Sequence, residues 1–462
     1  MSVNRRHILQ SAVAGSLLMP GLLSELLAED STNPVAPKSA HFPAKAKSVI
    51  FLFMSGGVSH VDSFDYKPAL FADHGKEVVF DHPETRNRPG YEKIFLKRPG
   101  WQFKPRGQSG IELSDLFPSI AKQADDITFI RSMHTSHSNH YNATLGMHTG
   151  SFAFARPSIG AWLSYGLGTL NQNLPSFLVL APQMPYAGTQ VWASDFLPGA
   201  HQGTRVFPGP EPVANLARRV SSSRRQQLEL STLQMLNATH QETRTDDTQL
   251  ATRIRAFETA FGMQSEMPEA LNMAEESEDT LQLYGMTRDT KDGFGWQCLA
   301  ARRLVERGVR FVELIHTGSS GNWDSHGNMA DHGQLAPQVD QPIAGLLQDL
   351  KQRGMLDDVL VVWTSEFGRT PFNNTADAPG REHHNWAFTS WLAGAGVRRG
   401  HVHGATDEHG IRAVEQPVHV HDFHATILHL MGIDHERLTW RHGGRDYRLT
   451  DVHGHIIRDI LT

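Results

Sequence analysis

Three side chains that can bind a metal follow one another late in the sequence. Glu366 follows the apolar run at residues 359–363 after Thr364 and Ser365, and Gly368 then permits a sharp turn. His383 and His384 follow 17 and 18 residues after Glu366. A carboxylate and two imidazoles that converge on one crevice can hold a hard or borderline divalent cation. The alternative is a salt-bridged glutamate with two surface histidines, and this stretch alone leaves both interpretations open.

A second group of polar side chains lies in the glycine-rich loop at residues 317–333. Asp324 and His326 are two residues apart in it, with Asn322, Asp331 and His332 close by. The loop follows residues 309–316, which we predict to be a strand, so these side chains also come directly after a strand candidate. They are further candidates for the same crevice.

A third group follows the first apolar run of the chain, at residues 48–54. Two glycines after that run let the backbone turn tightly or approach a ligand, and His60, Asp62 and Asp65 come next. Aspartate and serine are ordinary turn residues, so this motif alone is weak. Its position after a buried strand candidate strengthens it.

A histidine-rich segment at residues 134–148 is the fourth candidate. His134, His137, His140 and His148 lie within fifteen residues. Residues 142–149 can form a helix whose start faces the crevice, and the amino end of a helix favours an anion. The alternative is a capped, histidine-rich loop without a ligand.

The elements that must position these groups are short, unbroken apolar runs, which suit strands buried on both faces of a parallel sheet. Open α/β sheets bind ligands at the carboxyl ends of such strands. We predict further strands at 127–131, 177–181 and 387–392. We predict helices at 113–124, 297–308, 335–350 and 418–432, and two more within 218–278.

Composition excludes several classes of protein. The chain has 462 residues, 27 histidines and a formal net charge of −6, which does not favour binding to nucleic acid or to an acidic membrane surface. Cys298 is the single cysteine, so an intramolecular disulfide and a cysteine-rich metal site are both excluded. Any metal must be held by nitrogen and oxygen ligands.

The amino-terminal residues resemble a twin-arginine export signal. An Arg5-Arg6 pair precedes a modest apolar stretch that Gly15, Pro20 and Gly21 interrupt. We predict a signal peptide at residues 1–29, a linker at 30–46 and the main domain at 47–462. The chain is then periplasmic or extracellular, with no stable membrane span after removal of the signal.

Several longer motifs resemble the superfamily of alkaline phosphatases, sulfatases and cofactor-independent phosphoglycerate mutases. Residues 339–368 are similar to its helix leading into a strand that ends in Ser-Asp-His-Gly or Ser-Asp-Asn-Gly. Residues 418–433 resemble its late Val-Asp-x-x-Pro-Thr-Leu-Leu pattern, and residues 139–150 resemble the sulfatase segment that carries the nucleophile. The motifs SGGVSHVDSFD, NWDSHGN, SEFGRTP and GREHHNW are similar to one branch, domain-of-unknown-function family 1501.

The resemblance implies an α/β fold with an alkaline-phosphatase-like, mostly parallel central sheet. Helices would cover both faces, with a helical insertion at about residues 217–290. Glu366 matches a metal-binding aspartate, whereas Phe367 stands where relatives carry a histidine or asparagine ligand. The metal-binding aspartate that ends the first strand of relatives is missing, so Asp62 or Asp65 would have to replace it.

The same comparison assigns His140 to the position of the sulfatase nucleophile. Counting back ten residues from Gly150 reaches His140. Sulfatases need cysteine or serine there and phosphatases use serine or threonine, so the resemblance argues against a formylglycine sulfatase. Three roles stay open for His140: metal ligand, nucleophile, or general acid or base.

We expect an exported, metal-dependent hydrolase of phosphate or sulfate esters, acting on a small-molecule or glycan substrate. The cofactor would be a divalent metal ion, with zinc as a candidate. Arg369 would clamp an anionic oxygen beside His140. The candidate metal ligands are Asp62, Asp65, Asp324, His326, Glu366, His383 and His384. The alternative is a non-catalytic relative that binds a glycan or a partner protein.

Overall fold

A nine-stranded sheet forms the centre of the molecule. The computed structural model describes residues 33–78, 93–217, 222–244 and 248–462, so the predicted signal peptide at residues 1–29 lies outside the described residues. The strands of the sheet are β1 Ser48–Met54, β2 Ile127–His134, β3 Phe177–Leu180, β4 Thr204–Val206, β5 Phe311–His316, β6 Val359–Thr364, β7 Phe388–Gly394, β8 His401–His403 and β9 Val418–His419.

The strand order is β8-β2-β7-β6-β1-β5-β3-β4, with β9 beside β2. β1 runs parallel to β6 and β5, whereas β7 is antiparallel to both β6 and β2. The pairs β2–β8, β2–β9, β3–β4 and β3–β5 are parallel. The predicted α/β fold with a mostly parallel central sheet is confirmed.

The unbroken apolar sequence of β1 follows from its central position. Side chains alternate between the two faces of a strand, and both faces here are covered. Ile50 and Leu52 belong to one buried core cluster, and Phe51 and Phe53 belong to the cluster on the opposite face. Every residue of β1 is buried.

Helices cover both faces of the sheet, as predicted. The core on one face includes Leu299 and Leu346, and the core on the other includes Trp162 and Phe423. The helices of eight or more residues are α1 His140–Thr149, α2 Ile159–Leu167, α3 Ser223–Glu242, α4 Thr248–Ala270, α5 Gly293–Glu306, α6 His332–Gln352 and α7 Val420–Leu430.

Several short helices and strands lie outside the central sheet and the longer helices. Short α-helices are His60–Ser63, Pro68–Ala72 and Glu278–Leu283. Turns of 3₁₀ helix are Ile120–Asp126, Gly188–Trp192, Gly199–His201, Met273–Glu275, Met329–Asp331 and Arg458–Ile460. Short strands outside the central sheet are Glu77–Val78, Ile94–Leu96, Phe103–Arg106, Ile111–Ser114, Gly368–Arg369, Phe372–Asn373, His383–His384, Ala405–Thr406, Ala413–Glu415, Trp440–His442 and Arg445–Tyr447.

One predicted helix was wrong. Residues 113–124 divide between the strand Ile111–Ser114 and the 3₁₀ helix Ile120–Asp126. Pro118 lies between them, and proline has no N–H to donate to an α-helical hydrogen bond. Leu116 and Phe117, two of the apolar residues of this segment, are instead buried in the core without forming a helix.

The segments predicted as linker and insertion both contact the main domain. In the linker, the N–H of Lys38 donates to the carbonyl of Leu167, and the N–H of His41 donates to that of Gly432. α4 anchors the insertion through the buried Met267, whereas every described side chain of α3 is exposed or half-buried. In the described part of the chain, no helix is both long and apolar enough to span a membrane.

Candidate metal centre

The candidate centre lies at the carboxyl ends of the parallel strands. β1 leads into the turn at residues 55–57, β5 into the loop of Asp324, and β6 into Glu366. β2 continues through residues 135–139 into α1, which begins at His140. Because these four strands point the same way, their polar side chains meet at one edge of the sheet.

Two unusual backbone conformations let the segments meet closely. Gly56 has a φ of +113°, and a Cβ at this position would lie 2.7 Å from the backbone nitrogens of both Trp323 and Asp324. Only glycine fits there. Thr317, at the start of the loop after β5, has a φ of 65°, which is rare for a β-branched residue. The loop that carries Asp324 is therefore held against the end of β1 at a cost in backbone strain.

Glu366 is fully buried behind His140. The N–H of Gly56 lies 2.8 and 3.1 Å from its two carboxylate oxygens, and His140 Nδ1 lies 2.6 Å from Oε1. A carboxylate accepts, so Nδ1 of His140 carries the proton in this contact. Nε2 of the neutral imidazole then has the free lone pair.

That Nε2 atom of His140 faces Asp324. It lies 3.2 Å from Asp324 Oδ2 and has no other polar partner among the described residues. The imidazole stacks on Tyr186 with ring centroids 4.1 Å apart and planes 6° apart, and Phe367 packs at 4.7 Å. Burial lowers the pKa of His140, but contacts with Asp324 and Glu366 outweigh burial and raise that pKa above its ordinary value.

Asp324 is the shared partner of the cluster. Its Oδ1 lies 2.6 Å from Arg369, 2.9 Å from His326 Nε2 and 3.2 Å from His383 Nε2. Partial burial raises the pKa of Asp324, but its contacts with His140, His326 and His383, together with the charge of Arg369, hold it well below its usual range. Asp324 is therefore a carboxylate at neutral pH.

Contacts at Nδ1 orient the two other histidines, His383 and His326. His383 Nδ1 donates to the Ser138 carbonyl at 2.7 Å, which leaves the lone pair on Nε2. His326 Nδ1 faces Glu382 at 3.1 Å. The two Nε2 atoms lie 2.8 Å apart. Contacts with Asp324 and Glu382 raise the pKa of His326 to about 9, whereas burial lowers the pKa of His383.

This donor set fits a divalent cation. One donor atom from each of His140, Asp324 and His383 lies within 4.8 Å of the others. Nε2 carries the lone pair in both histidines because each Nδ1 donates to a fixed acceptor. Two lone pairs beside one carboxylate form a donor set that a cation can bind. Imidazole and carboxylate together are ligands that zinc accepts, whereas His326 is not among the three converging donors.

A family model covers nearly the whole chain. The model of DUF1501, a protein family of unknown function, matches residues 46–461. The chain belongs to the DUF1501 family. A comparison with curated proteins gives no match.

Several solved structures are similar to this DUF1501 protein at low identity. The lipoteichoic acid synthase LtaP from Listeria monocytogenes has a TM-score of 0.36 and 10% identity, over 89% of this chain and 78% of its own. The PsFucS1 sulfatase from Pseudoalteromonas sp. has a TM-score of 0.34 and 13% identity, over 90% and 70%. The C-terminal periplasmic domain of EcEptC from Escherichia coli, in complex with Zn, has a TM-score of 0.36 and 10% identity, over 86% of both chains. Such low scores transfer no residue role to this chain.

The DUF1501 structure does not bring Asp62 to the cluster. Asp62 is buried and bonds to Arg381 at 2.7 Å, to the Ser59 hydroxyl at 2.5 Å and to the N–H of Gly100 at 2.8 Å. Burial raises the pKa of Asp62, but the charge of Arg381 and the two hydrogen bonds outweigh burial, so the pKa lies below its ordinary value. The carboxylate thus fixes the chain after β1 instead of facing the metal ligands.

Asp65 is also directed elsewhere. It lies 3.3 Å from Lys67 and 3.9 Å from Arg131, and it accepts a hydrogen bond from the Thr406 hydroxyl. The spacing of Asp62 and Asp65 after a buried strand therefore reflects two buried ion pairs. Neither replaces the missing aspartate at the end of β1.

His384 points away from its neighbour His383. Its Nε2 donates to the Ile411 carbonyl at 2.8 Å, and its ring stacks on His60 at 5.7 Å. The two histidines form the short strand His383–His384, and successive side chains of a strand point to opposite faces. Only one of the pair can therefore reach the cluster.

Arg369 is adjacent to the cluster but is not free to clamp a substrate. The side chain is fully buried. Its N–H groups donate to the carbonyls of Gly56, Gly57 and Arg381 and to Asp324. Its charge is therefore balanced by Asp324.

Sequence reasoning missed three residues that shape the centre. Tyr186 stacks on His140, Ser138 orients His383 through its carbonyl, and Glu382 contacts His326. A backbone carbonyl leaves no trace in the sequence, and Tyr186 belongs to a loop with no metal-binding pattern. Glu382 could have been predicted from the sequence, since it directly precedes the candidate ligand His383.

Proposed function

We propose that this protein is an exported, metal-dependent hydrolase of phosphate or sulfate esters, with its centre at His140, Asp324 and His383. The observation that carries the proposal is the convergence of these three donors at one edge of the sheet. The support of His140 by the buried Glu366 adds to it, because metal-binding histidines usually donate their second N–H to a carboxylate or carbonyl.

The chain's own residues provide the frame for that chemistry. Glu366 and the Ser138 carbonyl fix which nitrogen of His140 and His383 faces Asp324. Arg369 keeps Asp324 ionised and in place. A divalent ion in this frame supplies a Lewis acid that polarises an ester oxygen and lowers the pKa of water. Phe367 and Tyr186 cover the His140 ring and restrict access of bulk solvent to it.

The export proposal rests on Arg5-Arg6 and on the single cysteine. Proteins exported through this route fold before transport, and a chain without disulfides fits such a route. The substrate would then be a small-molecule or glycan ester met outside the cytoplasm. Zinc is the candidate ion because the donors are imidazole and carboxylate.

The neighbouring histidines provide a matched test. The full chain, His383→Gln and His384→Gln are purified and their metal content is measured by mass spectrometry. Wild type and His384→Gln should retain about one divalent ion, and His383→Gln should lose most of it because a ligand is removed. Equal metal content in the two variants would contradict the proposed centre.

A panel of esters then tests activity. We expect metal-loaded wild type and His384→Gln to release p-nitrophenol from a sulfate or phosphate ester, and His383→Gln to release little. Metal binding without hydrolysis of any ester would instead support the non-catalytic alternative, a relative that binds a glycan or a partner protein. Glycan binding to the metal-loaded protein would then be the next measurement.

A further inference from the structure

Among the described residues, Arg369 is the permanently charged side chain at this centre, and its N–H groups are already engaged. Of the described lysines and arginines, Arg369 is the one whose side chain contacts Asp324. Four of its N–H groups donate to protein acceptors. Arg381, the next guanidinium, is fully buried and pairs with Asp62. A substrate therefore meets little unbalanced positive charge from the chain itself.

Tyr186 offers a neutral donor at the same place. Its ring lies flat against His140, and its hydroxyl lies 3.0 Å from Asn322 Nδ2. The orientation of the Asn322 amide is fixed, because its oxygen accepts from the Asp324 N–H at 3.0 Å and its nitrogen donates to the Gly318 carbonyl at 2.9 Å. Asn322 is thus the donor to Tyr186.

The phenol proton of Tyr186 is consequently free. The hydroxyl accepts from Asn322, and the described residues place no acceptor for its own hydrogen. Phenols titrate at about pH 10, so a tyrosine hydroxyl is protonated at neutral pH and can donate a hydrogen bond. The side chain is half-buried and can be reached from solvent.

We propose that the Tyr186 hydroxyl holds a non-bridging oxygen of the substrate, and that the substrate is an ester with a single negative charge: a sulfate monoester or a phosphate diester. The inference rests on the proposed function. Beside the proposed divalent ion, a neutral donor suits a monoanion, whereas the second charge of a phosphate monoester dianion favours a free guanidinium that this centre lacks among its described residues.

The reaction balances without a redox partner. The oxygen of water forms a bond to sulfur or phosphorus, and the bond from that atom to the leaving oxygen breaks. One proton of the water goes to the leaving oxygen, which departs as an alcohol. Tyr186 keeps its proton throughout and acts through a hydrogen bond that strengthens as charge develops on the non-bridging oxygen.

Three chromogenic probes and one variant pair test the inference. p-Nitrophenyl sulfate, bis-p-nitrophenyl phosphate and p-nitrophenyl phosphate are compared at pH 8, where the last is a dianion. We expect kcat/KM to be at least about 10-fold higher for one of the singly charged probes, and which probe it is distinguishes sulfate from phosphate esters. A preference for p-nitrophenyl phosphate would overturn the charge inference while leaving the proposed function intact.

Tyr186→Phe removes the hydroxyl and keeps the stacked ring. It should lower kcat/KM for the preferred probe by about 100-fold, mainly through kcat, with metal content and thermal midpoint unchanged. Tyr141→Phe is the control, because the Tyr141 hydroxyl bonds to Gln190 on the surface. Equal activities of the two variants would overturn the role of Tyr186.

Binding gives a readout that does not need turnover. Dimethyl phosphate, a monoanion, is titrated into metal-loaded wild type and Tyr186→Phe by calorimetry. We expect the variant to bind it about 10-fold more weakly. If wild type hydrolyses no probe but shows this difference, the hydrolase proposal fails and the Tyr186 anion contact stands. If affinity is also unchanged, the Tyr186 inference fails as well.

Discussion

His140 Nδ1 donates to the buried carboxylate of Glu366 at 2.6 Å, across 226 residues of sequence. Glu366 lies at the end of β6 and His140 opens α1, so this hydrogen bond joins two segments that the sheet brings together. It decides the chemistry of the centre, because it fixes the proton on Nδ1 and turns the Nε2 lone pair toward Asp324.

Glu366→Gln should weaken metal binding without removing any of the three proposed ligands, His140, Asp324 and His383. An amide oxygen can still accept from Nδ1, but it carries no charge to raise the basicity of His140. Loss of such a supporting carboxylate typically costs 10- to 100-fold in metal affinity. Competition with a chromogenic chelator measures the affinity.

A second buried pair provides the control for this variant. Glu313 on β5 contacts His148 at 2.7 Å, with both side chains buried, but these two residues are not part of the cluster. Glu313→Gln should therefore affect thermal stability and leave metal affinity unchanged. If Glu366→Gln binds metal as tightly as wild type, Glu366 serves only the packing of the loops.

Gly56→Ala should damage the centre more than an ordinary glycine substitution. A side chain in the left-handed region costs about 1–2 kcal/mol by itself. The substitution Gly75→Ala measures this cost, since Gly75 has a φ of +80° and a Cβ there would meet nothing within 4 Å. At Gly56 the same Cβ would press on the backbone of Asp324, so the loop must also move.

Chemical denaturation and metal analysis separate the two effects. Gly75→Ala should lower the free energy of unfolding by the conformational cost alone and keep its metal. Gly56→Ala should lose both more stability and most of the metal. Equal losses in the two variants would mean that the approach of the Asp324 loop to β1 is not a structural requirement.

Much of the fold was predictable because buried parallel strands leave a strong pattern. The strands β1, β5 and β6 are mostly apolar and are buried at every position, since both faces of these strands are covered. Residues 113–124 show where the pattern misleads. Leu116 and Phe117 have apolar spacing, but Pro118 follows them and the chain does not form an α-helix there.

The site was predictable only in part, because side-chain direction depends on distant partners. The sequence pointed to Asp324, His326, His383 and His140, each near the end of a strand, and these do lie together. Spacing could not separate His383 from His384, and it could not show that Arg369 already donates to the carbonyls of Gly56 and Gly57.

Replacing Arg5 and Arg6 with lysine should leave the precursor in the cytoplasm. The twin-arginine pathway reads the pair itself, and lysine preserves the charge but not the planar, multi-donor head group. Fractionation of cells that express wild type and the double variant, followed by immunoblotting, measures the outcome. Replacing Lys45, which lies beyond the predicted signal, with arginine is the control and should not change export. Normal export of the Lys-Lys variant would refute the signal assignment.

Acidification should begin to destabilise the protein at pH values well above those at which carboxylates titrate. Burial lowers the pKa of several histidines far below the ordinary value of 6.5, to about 3 for His201, His332, His419 and His424, and to about 4 for His316. Each of these groups is neutral in the folded chain but gains a proton in the unfolded chain below pH 6.5. Their contribution to stability is therefore present above pH 6.5 and is lost as the pH falls toward 3.

His424 isolates one such group. It is fully buried on α7, and its Nε2 donates to the Met147 carbonyl at 2.7 Å. His424→Asn removes the titrating ring, so the slope of unfolding free energy against pH between 6.5 and 4 should fall by about one proton, whatever the variant loses in absolute stability. Urea denaturation of the metal-free protein at several pH values measures that slope. His240 is the control, because it is exposed on α3 and His240→Asn should leave the slope unchanged. An unchanged slope in His424→Asn would show that this ring is already protonated in the folded chain.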